Sequence, residues 1–433
     1  MPSTAGEPGD PQRLVHKPLR IGQPLFVNDP DFDVRRHLHR VGVPSPGGPR
    51  QVAEQLDQIH RHRLSHDKPL WEAWILEGLA DGRLAVAVKF SHTLSDGVGA
   101  VTRILPTILS TDPARDVDYP PSGPPPELPG RADLLVDVVK ETAGNVAGAV
   151  KVVSSGTRAL VRGAAGLLWT TATAPLRRPV GPMPSYWQRR LQNAPVRTGL
   201  NSPITERRNT AYVSVPLAEL KELGTGFGAS VNDVFLAAAL SAMRDWLQRH
   251  DTLPDGPLQA FVPISTRDVD DEVPNSWSLA LVRLPVFVDD PVTRLELITA
   301  ATNRVKTGRA GRGPSVDFAD VIQLVPPRLL GAAASAYVSK QLNGLRPPLF
   351  HAACSNVPGP REELWLDGAR LEGIYPMGPL FADMNLNLTA ISYAGRFGLG
   401  VTACPDNVPD AWEVTDGWLA GLAELRAEGS AAR

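Results

Sequence analysis

The sequence is poor in cysteine, and its two cysteines, Cys354 and Cys404, form no metal-binding or redox motif. No stretch approaches the run of about 18 apolar residues that a transmembrane helix needs, and the first residues lack the basic and apolar regions of a secretory signal. The formal net charge is only −2, so nothing favours nucleic acid or an acidic polymer as a partner. These absences predict a cytoplasmic protein that does not span a membrane, in a compartment where thiols stay reduced.

Proline and glycine, by contrast, are abundant (42 and 38 residues), and their clusters divide the chain. A proline-rich linker over 112–130 leads into a mostly helical segment over 131–169, and a second proline-rich break covers 175–184. We interpret the helical segment as a connector packed on the protein; the alternative is a basic amphipathic helix that rests on a lipid surface. The predicted units are an N-terminal domain (13–111), a linker with a connecting helix (112–184) and a C-terminal domain (185–433).

The junction between a strand and a helix carries the most informative polar residues. In 84–90, the large apolar residues alternate with small or polar ones, which is the period-two pattern of a buried strand. A partner strand over 71–79 precedes it, and Asp81-Gly82 is typical of a hairpin turn. Ser95 and Asp96 resemble the cap and first turn of the following helix. His92 therefore lies where the strand ends, although a single histidine there is often an ordinary surface residue.

The second half of the chain alternates strands with helices, which indicates an α/β protein with mixed sheets. Strands are predicted near 211–215, 258–263, 278–288, 386–393 and 397–402, with helices at 216–223, 234–247 and 291–307 and from about 409 onwards. Ser230 and Asp233 have the spacing of a helix-capping box. The proline-flanked segment 355–360 is predicted to be a stiff turn.

Six short motifs in this order resemble the bacterial wax ester synthase/acyl-CoA:diacylglycerol acyltransferase family, which has the chloramphenicol acetyltransferase-like fold. The motifs are Pro69-Leu70-Trp71, Ser91-His92-Thr93-Leu94-Ser95-Asp96-Gly97, Leu200-Asn201-Ser202-Pro203-Ile204, Val231-Asn232-Asp233-Val234, Val262-Pro263-Ile264-Ser265-Thr266-Arg267 and Asn356-Val357-Pro358-Gly359-Pro360. Two features depart from the family pattern. Ser91 replaces the first histidine of the family's His-His-x-x-x-Asp-Gly motif. The resemblance also begins at about residue 12, without the family's first strand and helix. Either the true start of the protein lies further upstream, or the N-terminal domain is shortened; we favour the second and expect a slow protein that is prone to aggregate.

The resemblance implies two domains with mixed sheets, joined by a long helical connector, and an active-site channel between the domains. It implies transfer of a fatty acyl group from acyl-CoA to diacylglycerol or to a long-chain alcohol. Acyl-CoA is then a substrate, and neither a cofactor nor a metal is required. Two alternatives stay open: a non-catalytic or weakly active lipid-binding paralogue, and acyl transfer to a different hydroxyl acceptor. Peripheral contact with a membrane or a lipid droplet is a further expectation.

The resemblance also assigns roles to individual residues. His92 is the expected general base, and Asp96 the expected catalytic-loop carboxylate, held by an ion pair with Arg267. The candidate substrate-contacting residues are Trp71, Gly97, Asn232 and Asn356. For Trp71 and Asn356 we favour a structural role, and for Asn232 a hydrogen bond near the reacting carbonyl and a place at the helix start are equally compatible with the pattern. Asp233 is expected to be structural, and no function is assigned to Cys404.

Overall fold

The structure is a computed structural model that describes part of the chain in detail. The described residues are 12–18, 24–94, 99–114, 130, 132–138, 140, 190–191, 193–251, 253–265, 277–310, 347–381 and 383–431. Residues 132–138 are helical, in agreement with the start of the predicted connector. The rest of the connector, together with Asp96, Gly97 and Arg267, lies outside the described residues.

Most described elements of the C-terminal part follow the predicted order of strands and helices, but the strands Ala352–Val357, Trp365–Leu366 and Ala369–Arg370 were not predicted. The N-terminal ones are β1 (Gln12–Val15), β2 (Leu25–Asn28), β3 (Leu38–Gly42), α1 (Pro49–Arg61), β4 (Trp71–Glu77), β5 (Ala85–Phe90) and α2 (Leu105–Ile108), which continues a π-helical turn (Ala100–Ile104). The C-terminal ones are β6 (Asn209–Pro216), α3 (Leu217–Gly226), α4 (Val231–His250), β7 (Leu258–Ser265), β8 (Trp277–Leu284), α5 (Pro291–Ala310), β9 (Ala352–Val357), β10 (Trp365–Leu366), β11 (Ala369–Arg370), β12 (Leu386–Tyr393), β13 (Arg396–Ala403) and α6 (Ala411–Ala431).

In the N-terminal part, β3, β4 and β5 form a small sheet, with β3 parallel to β4 and β4 antiparallel to β5. Helix α1 covers one face, where Val52 and Ile59 pack with Leu76. The predicted strand and hairpin are both present, but the large residues of β5 do not face this core. Leu84 and Val86 are 65% and 45% exposed, whereas Ala85 and Ala87 pack against the core beneath α1. The face toward α1 carries the small residues Ala85 and Ala87 together with Lys89, so the alternation in residue size indicated the wrong face as the buried one.

In the C-terminal part, six described strands form a mixed sheet in the order β6-β13-β12-β9-β7-β8. Strand β9 runs parallel to both β7 and β12, and the other pairs are antiparallel. Helices α3 to α6 cover one face and bury a continuous apolar core against it. Within that core the rings of Phe397 and Trp418 stack at 6.1 Å between centroids. The burial of these apolar side chains is the main stabilising contribution in the described structure.

The segment 355–360 was predicted to be a turn throughout, and this prediction was wrong for its first half. Ser355, Asn356 and Val357 belong to β9, and the chain leaves the sheet only at Pro358. Asn356 and its neighbours pair with β12 on one side, and the start of β9 pairs with β7 on the other. Hydrogen bonding from two flanking strands therefore overrides the weak strand propensity of serine and asparagine.

The opposite face of the large sheet is crossed by the extended segment 374–379, which lies almost in contact with the backbone of β13. A Cβ atom at Gly398 would lie 2.2 Å from the carbonyl oxygen of Ile374, and one at Gly400 would lie 2.0 Å from that of Pro376. The Asn387 side chain donates a hydrogen bond to the carbonyl of Pro379 at 2.9 Å. Glycine at both strand positions is what allows the two layers to approach this closely.

No single helix among the described residues has the length and hydropathy to cross a membrane. Helices α3 and α4 satisfy the criterion only when taken together, and they meet at an angle of 96°.

Candidate active site

The turn that carries His92 follows β5 directly and is fixed by the neighbouring strand. The Ser91 amide donates to the carbonyl of Leu70 at 3.0 Å, and the Leu94 amide donates to the carbonyl of Ser91 at 2.9 Å. Leu94 is buried, whereas His92 is exposed. The turn is thus anchored at both ends, while the imidazole between the anchors is presented to solvent. A general base has to reach a substrate proton in this way.

The Ser91 hydroxyl, which stands in place of a histidine, is used inside the same turn. It lies 2.9 Å from the Thr93 hydroxyl and accepts a hydrogen bond from the Thr93 amide at 3.3 Å. These contacts give Ser91 a role in shaping the turn. A hydroxyl engaged in this way is a poor candidate for a nucleophile.

Sequence reasoning missed a second histidine at this edge of the small sheet. His37 immediately precedes β3, is almost completely buried, and its Nδ1 lies 2.7 Å from the carbonyl oxygen of Trp71. Its ring stacks on the Trp71 indole at 4.6 Å between centroids. Burial lowers the pKa of His37 below its usual value, so the ring is neutral near pH 7. No spacing in the sequence relates His37 to His92, because only the parallel pairing of β3 with β4 brings the two together at one edge.

Asp233 has the structural role that its spacing predicts. Its Oδ2 accepts hydrogen bonds from the Ser230 amide at 2.9 Å and from the Ser230 hydroxyl at 2.6 Å, and its Oδ1 accepts one from the Thr302 hydroxyl at 2.6 Å. The capping box at the start of α4 is therefore confirmed, and the same carboxylate also ties α4 to α5. Since these bonds occupy both oxygens of a buried carboxylate, Asp233 is not available to a substrate.

The two candidate asparagines of the C-terminal part lie toward one edge of the large sheet. Strands β7 and β9 are parallel, so their carboxyl ends, with Asn356 in the second, share that edge. Helix α4 packs on β9, and near its far end Arg244 donates to the carbonyl of Val286, which follows β8 at the opposite edge. The start of α4, with Asn232, consequently points toward the edge of Asn356. Both asparagine side chains are partly exposed there.

Helix α1 joins the two parts of the molecule. At its end, Lys89 of β5 donates from Nζ to the carbonyl of Ile59 at 2.6 Å and also to that of His62. On its other side, the Thr210 hydroxyl of β6 donates to Asp57 Oδ1 at 2.9 Å. The strand that leads to His92 is thereby connected through α1 to the edge strand of the large sheet. A second connection is the backbone pairing of Ser110, after α2, with Trp365.

Asp57 at this junction should make the stability of the protein depend on pH. Burial raises the pKa of Asp57 to about 7, above its ordinary value. The folded state consequently holds this proton more tightly than the unfolded state, and stability falls as pH rises from about 4 to 7. We expect Asp57→Asn to raise the melting temperature at pH 8. The corresponding gain in the free energy of unfolding is about 1–2 kcal/mol, after allowance for partial solvent screening.

A melting series of the two proteins between pH 5 and pH 9 measures this effect. The difference between them should grow up to about pH 7 and then stay constant. A difference that is the same at every pH would mean that Asp57 titrates normally in the folded protein. Glu222→Gln, at an exposed position of α3, is the control.

Comparison with known proteins assigns the chain to a family. Residues 4–235 match the model of the wax ester synthase/diacylglycerol acyltransferase catalytic domain, and residues 274–426 match the model of the WS/DGAT C-terminal domain. The chain belongs to the WS/DGAT family. The resemblance predicted from six motifs is confirmed, and with it the enzyme class, an acyltransferase.

Individual relatives cover most of the chain. A Mycobacterium tuberculosis (strain H37Rv) protein, whose name gives diacylglycerol O-acyltransferase as a provisional assignment, is 32% identical over 422 residues, which are 95% of this chain and 78% of the relative. Another from the same strain, with the same provisional assignment, is 31% identical over 420 residues. The solved wax ester synthase/diacylglycerol acyltransferase of Marinobacter aquaeolei VT8 is 26% identical, with a TM-score of 0.67 over 99% of this chain and 88% of that structure. This likeness confirms the predicted fold class with mixed sheets.

Within this WS/DGAT chain, the predicted site residues fall into three groups. His92 and Trp71 lie at one edge of the small sheet, and Asn232 and Asn356 at one edge of the large sheet. Asp96, Gly97 and Arg267 lie outside the described residues, so the ion pair between Asp96 and Arg267 stays a prediction, as do the domain boundaries and the channel. Trp71 packs on His37, in agreement with the structural role favoured for it.

Proposed function

We propose that the protein transfers a fatty acyl group from acyl-CoA to the hydroxyl of diacylglycerol or of a long-chain alcohol, with His92 as general base. The observation that carries the proposal is the position of His92, exposed on a turn that two backbone hydrogen bonds hold in place. Membership of the WS/DGAT family supports the reaction class.

In the proposed reaction, a neutral His92 nitrogen takes the proton of the acceptor hydroxyl, because that hydroxyl does not ionise by itself near pH 7. The alkoxide oxygen forms a bond to the thioester carbonyl carbon, and the carbon–sulfur bond breaks as the tetrahedral intermediate collapses. The imidazolium then returns the proton to the departing CoA thiolate. The products are an oxygen ester and CoA, and the enzyme ends in its starting protonation state. No acyl-enzyme is required, consistent with the engagement of the Ser91 hydroxyl inside the turn.

A cluster of three aromatic rings supports a substrate with a long apolar chain. Phe261 of β7 lies 5.8 Å from Phe350 and 6.2 Å from Phe381 between ring centroids. Phe381 is 44% exposed. The cluster lies on the face of the large sheet that is turned away from α3 to α6. Helix α1 packs on this same face at β6. We propose that this Phe261–Phe350–Phe381 cluster contacts the acyl or alkyl chain of a substrate.

Removal of the exposed ring should therefore alter the preference for chain length. We expect Phe381→Ala to lower kcat/KM for palmitoyl-CoA, or for hexadecanol, about 5- to 20-fold more than for the six-carbon analogue, since burying such a ring contributes about 1–2 kcal/mol. Steady-state rates with the four substrates measure this. Leu366→Ala, at an exposed apolar position of β10, is the matched control and should leave the ratios unchanged. Equal losses for long and short chains would show that the cluster does not contact the chain.

The proposal as a whole is tested with labelled palmitoyl-CoA and a panel of acceptors, including diacylglycerol, hexadecanol and a sugar, with the lipid products resolved. We expect an ester of diacylglycerol or hexadecanol and release of one CoA per ester. An ester of the sugar alone would overturn the acceptor assignment. Tight binding of palmitoyl-CoA without any ester would indicate the lipid-binding alternative. Contact with a membrane or a lipid droplet stays a prediction, for which the exposed Leu84 and Val86 offer an apolar surface.

A further inference from the structure

His37 holds the first residues of β4 through both its side chain and its backbone. Its Nδ1 donates to the carbonyl of Trp71 at 2.7 Å, because a carbonyl oxygen can only accept. Its own carbonyl accepts a hydrogen bond from the Ala73 amide at 2.8 Å. Two hydrogen bonds from one residue thus fix the strand on either side of Glu72. Since only 2% of His37 is exposed, water cannot replace either bond.

Ring packing restricts the same residue further. The imidazole stacks on the Trp71 indole, and the Phe32 ring lies 5.4 Å from His37 and 6.4 Å from Trp71 between centroids. The titratable groups that act electrostatically on the imidazole are Lys68, Glu72 and His39, and the first two form an ion pair with each other at 3.1 Å. The ring is therefore held in one orientation, with its Nδ1–H aimed at Trp71.

The beginning of β4 in turn fixes the turn that carries His92. Trp71 is the register partner of Phe90, the last residue of β5. The preceding carbonyl, that of Leu70, accepts the hydrogen bond from the Ser91 amide at 3.0 Å. From the imidazole of His37, the connection runs through one side-chain hydrogen bond to the Trp71 carbonyl, the backbone of Trp71 and Leu70, and one backbone hydrogen bond to Ser91, which precedes His92 in the chain.

We infer that His37 is a positioning residue for His92. His37 acts through the Leu70–Trp71 backbone and does not contact substrate. The inference rests on the proposed role of His92 as general base. A shift of the Leu70 carbonyl would displace Ser91 and swing the adjacent imidazole. A misplacement of about 1 Å at a reacting group can cost about 10²-fold in rate.

Two substitutions separate the hydrogen bond from the ring. His37→Phe keeps an aromatic ring against Trp71 but loses the N–H donor. His37→Asn loses the ring but keeps an amide N–H close to the position of Nδ1. We expect His37→Phe to lower kcat about 10- to 100-fold with KM for acyl-CoA nearly unchanged, and we expect His37→Asn to recover most of that loss. The pH at which the rate is half-maximal should not move in either variant, because His37 does not itself transfer the proton.

A matched control is His351, a second buried histidine whose ring donates to a backbone carbonyl, that of Val196 at 2.8 Å. It also accepts a hydrogen bond from the Gln259 amide at 3.0 Å, and it immediately precedes β9 of the large sheet. His351→Phe should lower the melting temperature while the kcat of the folded fraction stays close to that of the parent. Rates are normalised to folded protein by titration of near-ultraviolet circular dichroism.

A double substitution tests whether His37 acts through His92. In a His92→Gln background, His37→Phe should have no further effect on the residual rate, because residues that act as a unit are not additive. If His37→Phe does not yield folded protein, His37→Leu replaces it, since leucine fills part of the volume of the ring and has no hydrogen-bond donor.

The outcomes distinguish this inference from the proposed function. Loss of activity in His92→Ala together with parental kcat in folded His37→Phe would overturn the inference and leave the function intact. If His37→Phe lowers the rate by the same factor in the His92→Gln background as in the parent, the two residues act independently, and the inference is also overturned. Full activity in His92→Ala would instead overturn the proposed mechanism on which the inference rests.

Discussion

His92→Ala is expected to lower kcat about 10²- to 10⁴-fold, the usual contribution of a general base. The fold should be unaffected because the imidazole is exposed and the turn is held by the backbone of Ser91 and Leu94 and by the buried Leu94 side chain. The melting temperature should therefore stay close to that of the parent. Single-turnover measurements with saturating palmitoyl-CoA and diacylglycerol separate this loss in the chemical step from any change in binding.

Ser91→Ala is the control for this experiment, because it alters the adjacent residue and the same turn. It removes the hydrogen bond between the Ser91 and Thr93 hydroxyls, which is partly exposed, so a loss of no more than a few-fold is expected. Near-parental turnover in a folded His92→Ala protein would refute the general-base role. A loss in Ser91→Ala as large as that in His92→Ala would transfer the catalytic role to the serine.

Gly400→Ala should destabilise the protein by about 3 kcal/mol or more. The new methyl group would lie 2.0 Å from the carbonyl oxygen of Pro376. Both atoms are bonded directly to the backbone, so neither can rotate away as the end of a long side chain can. The segment 374–379 would have to lift from β13, and with it the hydrogen bond between Asn387 and Pro379 would be strained. We expect a poor soluble yield and, for the soluble fraction, a clearly lowered urea midpoint.

Gly42→Ala is the matched control, since Gly42 also lies in a strand but has no atom within 4 Å of the Cβ position. It should leave the urea midpoint unchanged or raise it slightly. Equal midpoints for Gly400→Ala and the parent would show that the crossing segment moves without cost. The close contact would then be irrelevant to stability.

Local sequence patterns were sufficient to predict most elements of the fold. The capping box of Ser230 and Asp233 is a short-range signal, and α4 begins where that signal places it. The strands predicted near 386–393 and 397–402 are likewise found, as β12 and β13. The strand β9 was missed because its pairing with β7 and β12 depends on partners far away in sequence. The sequence pattern could not predict which face of β5 is exposed either, because this depends on where α1 packs.

The candidate site was predictable to a similar extent. His92 was found because a strand, a histidine and a helix start follow one another within a few residues. His37 was not found, because its importance depends on a hydrogen bond to Trp71, across two strands that are distant in the sequence. The segment 374–379, which crosses β13, was missed for the same reason. No local pattern around Gly398 or Gly400 indicates that Ile374 and Pro376 lie close to them.

The strand order β6-β13-β12-β9-β7-β8 has a consequence for biosynthesis. A ribosome releases β6 long before β13, the partner that pairs with it along its whole length. During that interval the apolar side of β6, with Ala211 and Val215, has no strand beside it, and the interior of the sheet is still incomplete. The large sheet can therefore close only after β13 has left the ribosome. We expect nascent chains that stall before β12 to depend on chaperones, and nonsense mutations between β6 and β13 to act as null alleles.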